Sequence, residues 1–482
     1  MTDPACWELE WGEVAVLDGN ATSLGIDESV LMHAAGQALA ERAIQISAGG
    51  PILFLCGPGN NGGDGFVAAA IVKSSGCDAS VLTSHAKSKS KVATEARKVA
   101  SDMMTVEVWP SKIGGEWALV VDCLLGAGAI GPGDSLRGTI RKLSVWARSL
   151  GVPVLACDIP TGLGGSDVLA ADATVTFHSR KRGFSQEECG DITVVQLPWP
   201  REVEDCGMGD IERYPSIDTR ARKGDRGRLL VIGGGPYHGA PILVGMAAAR
   251  SGCDLVHVAM PSAASERAEW PATLIPERMS DRDFLTMASV ESISQSLDSS
   301  KPPRALVIGP GLGRNEESLV AVSAIMDLAA VRRIPVVIDA DAISALPKGA
   351  WPPGLIGVAT PHSSEAERWL GGVDPSEAIS LASGEEVTIV ITGPRDELTG
   401  PEGRRCFATG GHPRMAVGGT GDLLAGTIGG LMAQGMTAWP SARLGCALIR
   451  EAGSRAAAIT GPGLLAEDVP VEIARVLAEW TG

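Results

Sequence analysis

The feature that most constrains this chain is a series of short apolar runs, each stopped by a polar or glycine-rich turn, with helix-like stretches between several of them. In the first 200 residues the runs fall at 52–56, 80–83, 118–121, 152–157, 173–177 and 192–195. A second series follows at 229–232, 254–259, 305–308, 335–338, 355–358 and 387–392. Runs of this length with no polar alternation suit strands buried on both faces, and their alternation with helices is the signature of a parallel sheet covered by helices. The helical pattern is plainest over 27–47, where Val30, Leu31, Ala34, Ala35, Ala38, Leu39 and Ala43 recur at three- and four-residue spacings. Between the two series lies "PWPREVEDCGMGDIERYPSIDTRARK" (198–223), charged, proline-bearing and aperiodic, which reads as an interdomain linker or crossing strand. Two α/β domains are therefore expected, 1–205 and 215–482, as the length of 482 residues also suggests. The patch "SHAKSKSKVA" (84–93) reads as a solvated loop or helix start without function.

Composition removes several function classes. Hydrophobic content of 45% with 20% charged residues describes a folded chain with a sizeable core. The 41 basic and 57 acidic side chains give a formal charge of −16, the wrong sign for a general nucleic-acid binder. No apolar segment is long enough to span a membrane, and "MTDPACWELEWGEVAV" has no basic leader before an apolar block, so a cytoplasmic location is expected. The ten cysteines form no CxxC pair and read as reduced, mostly buried thiols.

The turn "GPGNNGGDG" (57–65) joins a strand to a helix at the carboxyl end of a parallel sheet, where ligands of such sheets bind. Its glycines would let backbone approach a phosphate and adopt positive φ, and Asn60 and Asn61 tolerate left-handed conformations while offering amides. Two more strand ends converge on the same rim: Asp122, followed by the second glycine loop "LLGAGAIGPG", and Asp158, followed by "IPTGL". A lone aspartate at a strand end is more often a cap or turn former. Two beside an asparagine-rich glycine loop can share a cation or handle a proton.

These four motifs, "GPGNNGGDG", "VVDCLLGAG", "CDIPTGL" and "ADATVTF" (171–177), resemble in order and spacing the NAD(P)H-hydrate epimerase domain. The resemblance implies a Rossmann-like fold in which Asn60, Asn61, Gly62, Gly63 and Asp64 hold the hydrated dinucleotide. It implies further substrate contacts from Gly126, Ala127, Gly128, Ala129, Ile130, Gly131 and Pro132, with Asp158 handling a proton at the reacting ring. Potassium would bind Asn61, Asp122 and Thr161, and Lys181 in "HSRKRGF" lies near the usual place of a family lysine. Where the family shows "LMENAG" on its first helix, this chain has Leu31, Met32, His33, Ala34, Ala35 and Gly36.

In the second half, "AVGGTGDLLAGTIGGLMAQG" (416–435) places Gly418 to Gly421 as a loop before an apolar helix, making an anion hole that contains Asp422. The helix dipole and exposed amides should keep that carboxylate ionised, able to take a hydroxyl proton as its oxygen attacks phosphorus. "KGDRGRLLVIGGGPYHGAP", "VIGPGLGR", "VVIDADAISAL" and "ATPHSSEAERWLG" each put glycine, aspartate or histidine beyond an apolar strand. With the Asp422 loop these resemble the ADP- or ATP-dependent NAD(P)H-hydrate dehydratase, a ribokinase-like α/β domain. The resemblance implies that Ala240, Gly311, Gly313 and His362 line the hydrate pocket, that Gly393 and Gly421 approach the adenine nucleotide, and that Asp422 is the catalytic base. Magnesium would ride on the nucleotide phosphates. Family members often carry "LKG" where this chain has Ile391, Thr392 and Gly393; Arg414 is the candidate replacement charge.

The expected substrates are hydrated NADH and NADPH with ADP or ATP, and the expected assembly is a homo-oligomer without nucleic-acid or membrane partners. The competing reading is a ribokinase-like kinase of a small vitamin alcohol carrying a non-catalytic amino-terminal binding domain.

Overall fold

The computed structural model describes residues 8–111, 113–128, 131, 133–380 and 386–482. Ala129, Ile130 and Pro132, named above as substrate contacts, lie outside the described residues. The chain divides into two compact units, Met1–Val203 and Glu204–Gly482.

The first unit runs β1 (Glu8–Leu9), α1 (Trp11–Ser23), α2 (Glu28–Ser47), β2 (Ile52–Cys56), α3 (Asn60–Ser74), β3 (Ala79–Thr83), α4 (Lys91–Met103), β4 (Val106–Val108) and β5 (Leu119–Cys123). It continues through α5 (Gly138–Arg148), β6 (Val154–Cys157), β7 (Ala173–Phe177), β8 (Arg180–Lys181), α6 (Gln186–Cys189) and β9 (Asp191–Val195). Seven strands form one parallel sheet in the order β4-β3-β2-β5-β6-β7-β9, and β1 pairs with β8 beside it. Alternation along β2 explains the layering: Ile52, Phe54 and Cys56 pack on the side of α2 and α3, while Leu53 and Leu55 face the side of α5, all fully buried. Asp27 caps α2 by accepting from Ser29 N at 2.9 Å, and Ser90 caps α4 from Ala93 N at 3.1 Å.

The second unit contains β10 (Arg228–Ile232), α7 (Gly239–Arg250), β11 (Leu255–Met260), α8 (Ser262–Arg267), β12 (Leu274–Arg278), α9 (Met287–Leu297), β13 (Ala305–Ile308), α10 (Glu316–Arg332) and β14 (Val336–Ile338). Next come β15 (Gly357–Ala359), α11 (Ser363–Leu370), α12 (Pro375–Ser380), β16 (Val387–Ile391), β17 (Asp396–Thr399), β18 (Arg405–Ala408), α13 (Thr420–Ala433), α14 (Ala438–Thr460) and α15 (Val469–Trp480). Its nine strands are ordered β12-β11-β10-β13-β14-β15-β16-β17-β18, parallel as far as β16 and antiparallel in the last two pairings. Leu229 and Val231 face the α7–α13–α14 layer, and Leu230 and Ile232 face α9 and α10.

Residues 204–213 are neither a free linker nor a strand. Two short 3₁₀ turns, Arg201–Glu204 and Met208–Arg213, bracket this stretch, and the second is held to α14 by buried Arg443, whose Nε donates to Asp210 Oδ1 at 2.6 Å.

The first glycine turn also differs from expectation. Helix α3 begins at Asn60, so Asn60, Asn61, Gly62, Gly63 and Asp64 are its opening turn, and no residue from 57 to 65 has positive φ. The glycines are required by close approach instead. A Cβ on Gly57 would lie 1.8 Å from Leu124 O, one on Gly62 2.0 Å from Gly57 O, and one on Gly65 2.8 Å from Cys123 Sγ. The same logic explains why α13 tolerates glycines that helix propensity disfavours: at Gly426 a Cβ would sit 2.2 Å from Val244 O, and at Gly430 2.2 Å from Ser251 Oγ.

Gly62→Ala should therefore drive backbone against backbone and lower stability by about 2 kcal/mol or more. Urea unfolding of the full chain followed by circular dichroism checks it; an unchanged midpoint would mean that the two segments separate freely.

Candidate active sites at two topological switch points

In each sheet the strand order reverses at one place, between β2 and β5 in the first unit and between β10 and β13 in the second. A crevice opens there beyond the strand ends.

At the first crevice the turn after β2 touches the turn after β5 through Gly57 and Leu124. The start of α3 presents its unpaired amides and positive dipole end toward this rim. Asp122, at the end of β5, is fully buried; its Oδ1 accepts from Thr161 Oγ1 at 2.8 Å and Leu124 N at 3.1 Å, and its Oδ2 accepts from Thr161 N at 2.8 Å. Burial pushes its carboxyl up to about 6 against those hydrogen bonds. No basic side chain pairs with it among the described residues. Asn61 and Asp158 meet at Gly126, where a Cβ would lie 3.2 Å from both Asn61 Oδ1 and Asp158 Oδ2. Asn61 Nδ2 is buried and has no hydrogen-bond partner among the described residues. The 124–127 turn thus joins Asp122 and Thr161 on one side to Asn61 and Asp158 on the other, with Leu125 N donating to Thr161 Oγ1 at 3.2 Å and Ala127 N to Asp158 Oδ2 at 3.0 Å. A buried carboxylate without a basic partner among the described residues, with the oxygens of Thr161 and Asn61 on the same turn, suits a monovalent cation with oxygen ligands.

Asp158 has positive φ, 66°, a backbone strain of the kind held at functional sites. Lys181, also buried, places Nζ 2.7 Å from its Oδ1, and donates to Thr176 Oγ1 at 2.9 Å and Phe177 O at 2.8 Å. Burial alone would raise the Asp158 carboxyl, but Lys181 and the bonds from Ala127 and Thr176 outweigh it and hold it below the ordinary value. Asp64 goes the other way: burial first, then the charges of Asp158 and Asp18, push it well above the usual range. The two carboxyls on this rim are thus shifted in opposite directions, the arrangement that separates an acid from a base. The upward shift of Asp64 had no sequence signal, whereas Lys181 was marked by the "HSRKRGF" motif. His33 and Ala34 lie on α2.

The second crevice repeats the arrangement. A Cβ on Gly233 would lie 2.4 Å from Pro310 O, and Gly234 N donates to Pro310 O at 2.9 Å. Gly311 and Gly313 both have positive φ, 70° and 77°. Gly311 backs onto Tyr237 O, and Gly313 N donates to Asp341 Oδ2 at 2.8 Å. Arg314 bridges Asp341 at 3.2 Å and Glu365 at 3.3 Å, and His362 Nε2 stands 3.5 Å from Glu365 Oε1. His362 also caps α11, its Nδ1 accepting from Ser364 N at 3.2 Å, while its ring stays half exposed. Ala240 is the second residue of α7. A cavity of about 460 Å³ opens between the two glycine turns, lined by Gly235, Pro236, Arg267, Phe284, Gly313 and Arg314 among others. Of the residues expected at the hydrate pocket, Gly313 lines this cavity and Ala240, Gly311 and His362 do not; Arg314 ends the "VIGPGLGR" motif, whereas Arg267 and Phe284 had no sequence signal.

Helix α13 starts at Thr420, so Gly421 and Asp422 lie in its first turn, behind Gly419 with φ 98°. The helix start is expected to keep Asp422 ionised, and burial and a neighbouring charge act against it. Burial, then the charge of Asp341, pushes its carboxyl up to about 6, which leaves it mostly ionised at neutral pH but more basic than a free aspartate. Asp339 is raised further, to about 7, by burial and then Asp422, although Thr360 Oγ1 donates to it at 2.8 Å. Gly393 lies two residues beyond β16 and is fixed by Arg450, whose Nη2 donates to Gly393 O at 2.8 Å while pairing with Asp396 at 2.7 Å. Arg414 is exposed, and no bond of its side chain appears among the described residues. Among those residues no three of histidine, cysteine, aspartate and glutamate are placed to hold a metal ion.

Comparison with known proteins decides between the readings. The NAD(P)H-hydrate dehydratase family profile matches residues 229–475, and the one described as YjeF-related protein N-terminus matches 28–183. The bifunctional NAD(P)H-hydrate repair enzyme Nnr of Hyperthermus butylicus is 33% identical over 96% of this chain and 91% of its own. The enzymes of that name from Pyrobaculum aerophilum and Methanothermobacter thermautotrophicus are each 31% identical, over 97% and 95% of this chain and 97% and 93% of their own.

The chain belongs to the bifunctional NAD(P)H-hydrate repair enzyme family. Its α/β architecture is the one that family membership leads one to expect, a Rossmann-like parallel sheet followed by a ribokinase-like domain. Because these family relatives align over both halves, the vitamin-alcohol kinase with an inert first domain is not favoured.

Two consequences are measurable. Lys181→Met leaves a buried carboxylate unpaired and should cost about 3–5 kcal/mol of stability at neutral pH; equal urea midpoints for the two proteins would contradict the pairing. Asp339 holds its proton in the folded state, from an ordinary value of 3.8 to about 7, so its contribution is full below about pH 4 and is lost as pH rises through 7. Asp339→Asn should remove that slope, seen as midpoints that no longer fall between pH 5 and 8 relative to wild type; a parallel fall in both would contradict it.

Proposed function

We propose that this chain repairs hydrated NADH and NADPH. The first unit interconverts the two epimers at the nicotinamide ring, and the second dehydrates the S form with ADP or ATP, returning NAD(P)H. The observation that carries the reading is Asp422, a half-buried carboxyl near neutrality in the first turn of α13, electrostatically coupled to the Asp339–Asp341 rim beside the cavity.

In the first unit the α3 amides and the Gly126 turn hold the dinucleotide's negative charges. Asp158, steadied by Lys181, takes a proton at the hydrated ring, and Asp64, whose carboxyl is shifted upward, returns one. Asn61, Asp122 and Thr161 would hold potassium, which supplies positive charge near the bound phosphates. In the second unit Asp422 accepts the proton of the ring hydroxyl as its oxygen attacks the terminal phosphorus of the nucleotide, and the nucleotide leaves one phosphate shorter. The ring carbon–oxygen bond then breaks with phosphate as leaving group, and the neighbouring carbon releases a proton as the double bond forms. Phosphate leaves far more readily than hydroxide, which is why a dehydration employs a kinase-like site.

Gly393 and Gly421 would flank the nucleotide, and Ala240, Gly311, Gly313 and His362 the hydrate. With no protein cage for magnesium among the described residues, that ion is assigned to the nucleotide phosphates, and no step above uses it. The free cysteines among the described residues suit a reducing compartment such as the cytoplasm. No helix among the described residues is long and apolar enough to cross a membrane, and the charge of −16 opposes nucleic acid. A homo-oligomer completes the reading.

Asp422→Asn should lower recovery of NADH absorbance from the S hydrate with ADP by about a thousandfold while epimer exchange persists. Asp158→Asn should do the reverse. If Asp422→Asn retained full recovery, another group would be the base.

A further inference from the structure

Cys206 and Cys406 lie outside both crevices, yet their sulfurs stand 3.7 Å apart. The backbone holds them there. Cys206 N donates to Phe407 O at 2.8 Å, Phe407 N donates to Asp205 Oδ1 at 2.9 Å, and Arg443 donates to the carbonyls of Glu204 and Asp205 at 2.9 Å each. The segment entering the second unit therefore runs beside β18, the last strand of the nine-stranded sheet, and hides the edge that strand would otherwise expose. Cys406 is 2% exposed, whereas Cys206 reaches solvent in part. Burial pushes the Cys206 thiol well up, and Arg443, already bound to this segment, opposes that shift with a permanent positive charge close to both sulfurs.

We propose that Cys206 and Cys406 are a redox modification site, closed to a disulfide by a hydroperoxide and reopened by thiols. The Cys206 sulfur attacks one peroxide oxygen; the O–O bond breaks, the departing oxygen takes a proton, and Cys206 becomes a sulfenic acid. The Cys406 sulfur then displaces the hydroxyl, which leaves as water as the S–S bond forms. With hydrogen peroxide, two thiols are oxidised and one peroxide is reduced to two waters. The bond ties the entry of the second unit to the strand that leads, through 409–419, into α13 and Asp422.

The other close set of thiols supplies a contrast inside the same molecule. Cys56, Cys123 and Cys157 lie in one row across β2, β5 and β6, but each is fully buried. Peroxide should reach Cys206 first.

The test treats the full chain with hydrogen peroxide, removes the excess with catalase, denatures, alkylates with N-ethylmaleimide and maps the peptides. The expected result is one linked peptide pair containing positions 206 and 406, two of the ten thiols protected from alkylation, and full recovery of both by dithiothreitol. Cys206→Ser, a change at a partly exposed position, and Cys406→Ala should each abolish the link and leave every remaining thiol alkylated. Complete alkylation of wild type, overoxidation of Cys206 without a link, or a link that persists in Cys206→Ser would overturn the proposal.

Discussion

The structure depends on one constraint used twice: at the switch point of each sheet, two successive strand ends turn so closely that backbone meets backbone. Gly57 against Leu124 in the first unit and Gly233 against Pro310 in the second leave no room for a side chain. That contact fixes where the following helices begin, and the helix starts determine where unpaired amides and polar side chains point. Asn61, Asp122 and Asp158 gather around one such turn; Asp341, Arg314 and Glu365 gather around the other.

The two rims then diverge in electrostatics. In the first, a buried lysine holds the Asp158 carboxyl below its ordinary value while burial and the charge of Asp158 push Asp64 well above it. In the second, carboxyls crowd one another: beyond burial, Asp422 raises the cost of ionising Asp339 and Asp341 that of Asp422, and Arg314 is spent on Asp341 and Glu365. A base near neutrality suits a hydroxyl that must be deprotonated as it attacks phosphorus. An ionised carboxylate with a fixed cation suits a proton shuttled at a ring.

The parallel strands were legible in the sequence because burial on both faces leaves an uninterrupted apolar run, as in Ile52 to Cys56. The aspartates at the strand ends were legible for the same reason, since polarity there marks where the sheet stops. What could not be read is long-range. Nothing local distinguishes a glycine needed for positive φ from one needed for close approach, so α3 was expected to begin after its asparagines. The hairpin of β17 and β18 alternates too little to announce itself, and residues 204–213 look like a linker because their partner, Arg443, lies far along the chain. The raised carboxyl of Asp422 follows from neighbours brought in by other strands, which a helix-start argument alone omits.

The most direct test of the central claim is crystallographic difference density for the full chain soaked with ADP and oxidised NAD. Two separate ligands are expected: dinucleotide phosphates at the start of α3 facing Asp158, and ADP phosphates at the start of α13 within reach of Asp422. Density for both in a single crevice, or none beside Asp422, would contradict an account in which each rim of backbone amides serves its own proton-moving carboxylate.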